Sequence, residues 1–370
     1  MDVSNNKTTA EAAAKASLSP SGRAAAEAKA HIVIICDTTG SMGAYITSLG
    51  GSIAQFTAII RLLYGNDAML HLITYEDYGD GANLLRVADG ELAVRTLAGT
   101  LRAGGGGDDP EAIKTALNRL YEMINQKGWE RTVVFHYTDA PPHHPQTHSD
   151  TRNGPAEQRA LRGKIPGNDW VAICRAFATK DVPIYTFLGG GGYANTQSRN
   201  FYAALGNVVL LKDISSKNIT RTTVCCFLQL IDAPTSVQQT LGVECLEALP
   251  LNRLTSLDTE HVAMFGARPV LVTKIIEFKF APIPWLVADL SILTRKFGED
   301  IEYQNLVFTI FGELFDTTFP EKSLALTYND VIGTLWRLVC RMRTDPRLGA
   351  LQERLSAVVP KLVGDDRTQI

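Results

Sequence analysis

In the run HIVIICDTTGSMG, His31 to Gly43, an apolar stretch breaks off into Asp37, Thr39 and Ser41. The three stand at i, i+2 and i+4, so an extended backbone aims their side chains the same way. One carboxylate and two hydroxyls are hard oxygen donors, suited to Mg²⁺ or a similar cation that keeps part of its water shell. Two other segments carry acids that would complete such a set. In AGGGGDDPEA, Ala103 to Ala112, a glycine-rich approach leads to Asp108. There Asp109-Pro110-Glu111 has the form of a helix start, with Asp109 as cap and Glu111 near the positive end of the helix dipole. With Asp109 engaged in capping, Asp108 is the free carboxylate. In TVVFHYTDAPPHH, Asp139 follows an apolar strand as Asp37 does.

The elements around these acids alternate strand and helix. HIVIIC is short, apolar and β-branched, as expected of a strand covered on both faces. Ile46, Leu49, Ile53, Phe56 and Ile60 then recur at helical spacing, and Gly65 closes that helix. MLHLITYEDYG and NLLRVAD read as strands, about Asp109 to Gln126 as a helix, TVVFHYTD as a strand, and the alternation continues to about Asp213. This order predicts an α/β fold, a doubly wound and mostly parallel sheet with helices on both faces, whose ligands sit at the carboxyl ends of the strands. Residues 1–30, rich in Ala, Ser, Lys and Glu, read as a disordered tail with one helical stretch near EAAAK. Residues 234–370 lose the rhythm and read as a second, mainly helical region with an ambiguous, β-like stretch from Arg253 to Pro282. It shows no glycine-rich nucleotide loop or kinase catalytic set, and is expected to serve oligomerisation or partner binding.

Bulk properties narrow the classes. At 370 residues with a net charge of −3, the chain has no global field drawing it to nucleic acid or an anionic membrane. Lys274 to Thr294 is interrupted by charges and prolines, against a membrane span. The six cysteines form no C-x-x-C pair, the amino-terminal residues carry no secretory pattern, and a reducing, cytoplasmic location is expected.

Taken together, D-x-T-G-S-M after an apolar strand, a later G-G-G-D-x-P-E and a strand ending T-D-A-P-x-H resemble a von Willebrand factor A domain with a metal-ion-dependent adhesion site. The likeness runs from about Ala30 to Ala233 and is nearest to the intracellular A domains associated with alpha-kinase-type proteins. YEDYGDG, Tyr75 to Gly81, also resembles the Y-R-D-x-x-D-G segment of that group, and the A domain is placed at 31–233. The resemblance implies that Thr39 and Ser41 ligate the metal through their hydroxyls and that Asp37 and Asp139 act mainly through bound waters. It implies Asp108 where the family commonly has a threonine. Three carboxylates around a divalent ion leave a local charge of about −1, which favours holding the metal over seizing an acidic partner residue. Mg²⁺ is the expected ion, with Mn²⁺ or Ca²⁺ as alternatives.

Plainer readings stand beside these. Thr39 or Ser41 would also serve as helix N-caps. Glu76 and Asp77 read as solvated turn residues, with an outer-shell role at the metal as the alternative, and His143, His144 and His148 as a solvated loop rimming the site rather than a zinc site. LGGGGY, Leu188 to Tyr193, reads as a crossover loop, and Cys225 and Cys226 as core residues. The expected function is a non-enzymatic, metal-dependent module whose rim, including Pro141, Pro142 and His143, contacts a protein partner. The alternative is Mg²⁺-dependent phosphoryl transfer with Asp37 as nucleophile, because DTTGS resembles the phosphorylation loop of P-type ATPases and haloacid dehalogenases.

Overall fold

Strand β1, Ala30–Asp37, is buried along its whole length, as a β-branched run without alternation requires. In the computed structural model the described residues are 28–80, 84–106, 110–144, 153–189, 196–211, 223, 226–228, 230–231, 245–247, 273–275, 282–316, 330–342, 344–349 and 351. The tail at 1–27, Asp108, Asp109, His148, Cys225 and Gly190 to Gly192 lie outside them.

After β1 come helix α1 (Gly43–Tyr64), β2 (Ala68–Tyr75), β3 (Leu85–Asp89) and α2 (Glu91–Thr100). Next are α3 (Ile113–Lys127), β4 (Arg131–Thr138), α4 (Gly154–Ala160), α5 (Trp170–Thr179), β5 (Ile184–Leu188), α6 (Thr196–Leu205) and β6 (Asn207–Leu211). Two short strands, β7 (Cys245–Glu247) and β8 (Thr273–Ile275), precede α7 (Leu290–Glu299), α8 (Ile301–Asp316) and α9 (Asp330–Arg341). The strands form one sheet in the order β3-β2-β1-β4-β5-β6-β7-β8. From β2 to β6 every pairing is parallel, while β3, β7 and β8 join antiparallel. The fold is thus α/β, doubly wound and mostly parallel. The sheet continues into residues beyond 234.

Alternation along β1 divides the core. Ile32, Ile34 and Cys36 pack on one face with Phe56, Phe135 and Phe187, and Val33 and Ile35 on the other with Ile113, Leu117, Trp170 and Phe177. The carboxyl-terminal helices complete the first face: Phe297, Val307, Phe311 and Val339 belong to the same cluster as α1. Tyr303 donates its hydroxyl to the Leu62 carbonyl at 2.9 Å. No described helix is long and apolar enough to cross a membrane.

Because β1 leads to β2 on one side and lies beside β4 on the other, the connections diverge at its carboxyl end. Such a switch point leaves a crevice above the strand tips. Asp37 ends β1 and Asp139 follows β4 directly, so the crevice is flanked by the acids anticipated from the sequence.

Candidate metal centre

Asp37 is fully buried and held from three directions. Its Oδ1 accepts the Thr39 amide at 2.9 Å and the Thr39 hydroxyl at 2.7 Å, and its Oδ2 accepts the Thr138 hydroxyl at 3.2 Å. Burial pushes this carboxyl up to about 7, and the charge of Asp139 adds to the rise while the bonds from Thr39 and Thr138 oppose it. Ser41 is exposed and donates to Asp139 Oδ1 at 3.0 Å. The structure therefore draws together Asp37 with Thr39 and Ser41 with Asp139.

The capping alternative is not what these hydroxyls do. Thr39 precedes a short 3₁₀ turn, Gly40–Met42, and α1 follows, yet neither start has a side-chain cap. The two loops meet at backbone distance: the Gly40 amide donates to the Gly105 carbonyl at 3.3 Å, and a Cβ on Gly40 would lie 2.8 Å from that oxygen.

Glu111 departs from its expected place. Helix α3 begins at Ile113, not at Asp109, and Glu111 sits before it in an isolated parallel bridge to Pro142, its amide donating to the Pro141 carbonyl at 2.9 Å. The Glu111 side chain instead interacts with Asp37 and Thr39 at the end of β1. It is 3% exposed, and its Oε2 has no hydrogen-bond partner. Its carboxyl is driven far above the usual range, first by burial and then by the charges of Asp37, Asp77 and Asp80, with partial relief from the Thr39 hydroxyl. Sequence reasoning missed this residue. No local signal marked it, because D-P-E is equally a helix start.

Other expectations are corrected here. Asp77 is not a solvated turn residue but is 1% exposed, because its Oδ1 accepts the Tyr78 amide at 2.7 Å and Nε2 of His143 at 2.6 Å, and its Oδ2 accepts from Asn153. Glu76 is buried as well. His143 is held by that bond away from solvent, and His144 is half-buried against Phe201, ring centroids 4.9 Å apart. Pro141 and Pro142 are buried too, so the exposed rim consists instead of Gly40, Ser41 and residues 102–106. Behind the site, Glu157 accepts the Thr115 amide and hydroxyl, both at 2.8 Å, and stands 3.6 Å from the Lys114 ammonium.

Among the described residues no three His, Cys, Asp or Glu side chains converge as a ready-made metal cluster. The oxygen donors at the β1 tip are a mixed set of hydroxyls and carboxylates. The unpartnered Glu111 oxygen, buried in negative surroundings, fits a cation: a positive charge there would relieve the burial cost that now favours protons.

No protein-family model matches the chain. It is 31% identical over 354 residues to a putative ariadne-like RING finger protein, R811, of Acanthamoeba polyphaga mimivirus. That match spans 92% of this chain but 34% of the viral protein, so the chain corresponds to about a third of that relative's length. Among solved structures, the pilus adhesin SpaC of Lactobacillus rhamnosus GG in its open conformation is 16% identical, covering 53% of this chain and 30% of its own, with a TM-score of 0.37. Proximal thread matrix protein 1 of the mussel byssus is 11% identical, covering 53% and 44%, with a TM-score of 0.35. The expectation that this chain is not an enzyme is corrected by the viral relative, which is named as an ariadne-like RING finger protein.

Proposed function

We propose that the chain carries a divalent-cation-dependent protein-interaction module of the von Willebrand factor A kind, with Mg²⁺, or else Mn²⁺ or Ca²⁺, held at the carboxyl end of β1. The observation that carries this reading is the buried, unpartnered Glu111 oxygen beside Asp37 and Thr39. So much carboxylate in one buried corner needs protons or a cation to neutralise it. In this reading Thr39, Ser41 and Glu111 hold the ion directly, and Asp37 and Asp139 hold its waters. The bound ion would supply a coordination position open to an oxygen of a partner. The exposed rim of Gly40, Ser41 and residues 102–106 offers bare backbone around it.

Nothing about Asp37 favours the phosphoryl-transfer alternative, since both its oxygens accept hydrogen bonds and neither is displayed to solvent. The likeness to a RING finger protein of roughly three times this length supports a place in a larger assembly. There this chain would hold a protein partner. A cytoplasmic location belongs to the same reading and suits the thiols of Cys36, Cys174 and Cys340, which form no disulfide.

Calorimetric titration with Mg²⁺ in chelator-stripped buffer tests the metal. Wild type is expected to bind one ion, Asp37→Ala none, and Glu111→Gln at least about 10-fold more weakly, the loss typical of a displaced ligand or its support. Equal binding by all three, or none by wild type, would sink the proposal. Partner recovery with and without chelator then separates recognition by the metal from ordering of the loops.

A further inference from the structure

The turn Tyr75 to Asp80 ends β2 beside the metal centre, and its hydrogen bonds reach three of the loops that border the site. The Tyr75 carbonyl accepts the amide and the hydroxyl of Thr38, at 2.9 and 3.0 Å, directly next to Asp37. Asp77 takes His143 from the loop after β4 and Asn153 from the start of α4. Asp80 Oδ2 accepts the Gly106 amide at 2.7 Å, in the glycine run that leads on to Asp108 and Glu111. The contact with that run is close enough to exclude side chains: Gly105 has φ +75°, and a Cβ on it would fall 2.6 Å from Cβ of Asp80.

A carboxylate as buried as Asp77 is costly to fold and contributes little net stability even when paired. An apolar residue would fill the same space more cheaply. What Asp77 and Asp80 supply is geometry, because each bonds to a different loop from one short, strand-anchored turn. Loops that must present oxygens to one small ion need spacing fixed to a fraction of an ångström.

We infer that Asp77 and Asp80 are positioning residues, a carboxylate clasp on the β2 turn that sets the spacing of the three cation-binding loops without touching the cation. The inference rests on the metal reading of the site. It gives the YEDYGD stretch a function distinct from the ligands themselves, and it separates two contributions, since Asp77 fixes the β4 side and Asp80 the glycine run.

Mg²⁺ calorimetry on the full chain, with thermal unfolding of each metal-free protein, tests the clasp. Asp80→Ala removes a bond at the exposed edge, so the metal-free unfolding temperature is expected to stay near wild type while Mg²⁺ affinity falls about 10- to 100-fold. Asp80→Asn, whose amide oxygen still accepts from Gly106, should recover most of that affinity, a rescue that separates positioning from charge. Asp77→Asn should weaken Mg²⁺ by a similar factor. Should that variant fail to fold, the two Asp80 variants decide alone. If wild type binds Mg²⁺ and the folded variants bind within twofold of it, the clasp is wrong and the metal reading stands. If wild type binds none, both are wrong.

Discussion

Ser41 and Asp139, 98 residues apart in sequence, meet at 3.0 Å across the tips of β1 and β4. The bond is at the surface, where a single hydroxyl contributes on the order of 1 kcal/mol or less. Its interest lies in what it holds together: in the metal reading both groups face the ion, Ser41 directly and Asp139 through water. Ser41→Ala is therefore expected to change the urea midpoint of the metal-free protein slightly and to weaken Mg²⁺ by about 10-fold or more. Chelator should lower the unfolding temperature of wild type and leave that of Ser41→Ala nearly unchanged at the same Mg²⁺ concentration, through loss of binding to the native state. A matched pair of thermal scans would show it.

Gly40 offers a steric test of the same loops. A methyl group there would meet the Gly105 carbonyl, a backbone atom with nowhere to go, at 2.8 Å. Gly40→Ala should cost about 1–3 kcal/mol, the usual range for overpacking, and should weaken Mg²⁺ by forcing the two loops apart. At Gly50 a methyl group would find no atom within 4 Å, so Gly50→Ala should be neutral or stabilising in the middle of α1. Urea titration of both variants gives the comparison.

How far the letters predict this molecule depends on whether a residue's partner is local. The apolar run of β1 and the 3.6-residue spacing of Ile46, Leu49, Ile53 and Phe56 are local signals, and they carry the α/β order and the position of the strand tips. Asp37, Thr39, Ser41 and Asp139 follow from the same logic, each standing where an apolar strand stops. Glu111 does not, because D-P-E is equally a helix start. Its bridge to Pro142, which pulls it out of the helix, is a contact between distant segments. His143 lies among prolines and polar residues that read as solvated loop, and its bond to the buried Asp77 carboxylate, a contact between distant segments, is invisible in that composition. The short strands β7 and β8 are three residues each, too brief for periodicity to register.

At the other end of the sheet, His31 and His71 form a pH-sensitive pair remote from the metal loops. Nδ1 of His31 lies 3.0 Å from Nε2 of His71, and both rings pack on Trp129 with centroids 4.3 and 4.2 Å away. Burial lowers both to about 4; the Asp89 carboxylate pulls each the other way, and for His31 the charge of His71 adds to the depression. The unfolded chain takes up protons at about 6.5, the folded chain not until about 4. Their contribution is thus complete above about pH 6.5 and is lost as pH falls toward 4. Other groups also titrate in that window, so the expected outcome is a difference: the urea midpoint of wild type should drop more steeply between pH 7 and 4.5 than that of His31→Gln/His71→Gln.

Tyr303 asks whether the carboxyl-terminal helices fold with the sheet or apart from it. Its hydroxyl donates to the Leu62 carbonyl in α1, and its ring belongs to the cluster that contains Ile34, Phe56 and Phe135. Tyr303→Phe keeps the ring and deletes one hydrogen bond to a buried carbonyl, a loss of about 1 kcal/mol. If α8 unfolds with the sheet in one cooperative transition, the full deficit appears in the main unfolding curve, whether followed by tryptophan fluorescence or by far-ultraviolet circular dichroism. If α8 detaches first, the two probes separate once Trp285 and Trp336, which pack against the carboxyl-terminal cluster, are both replaced by Phe: the remaining signal, from Trp129 and Trp170 in the opposite face of the core, is then unmoved. The shared cluster and the continuous sheet argue for the first outcome. Coincident curves shifted together by the substitution would establish it, and a shift confined to circular dichroism would refute it.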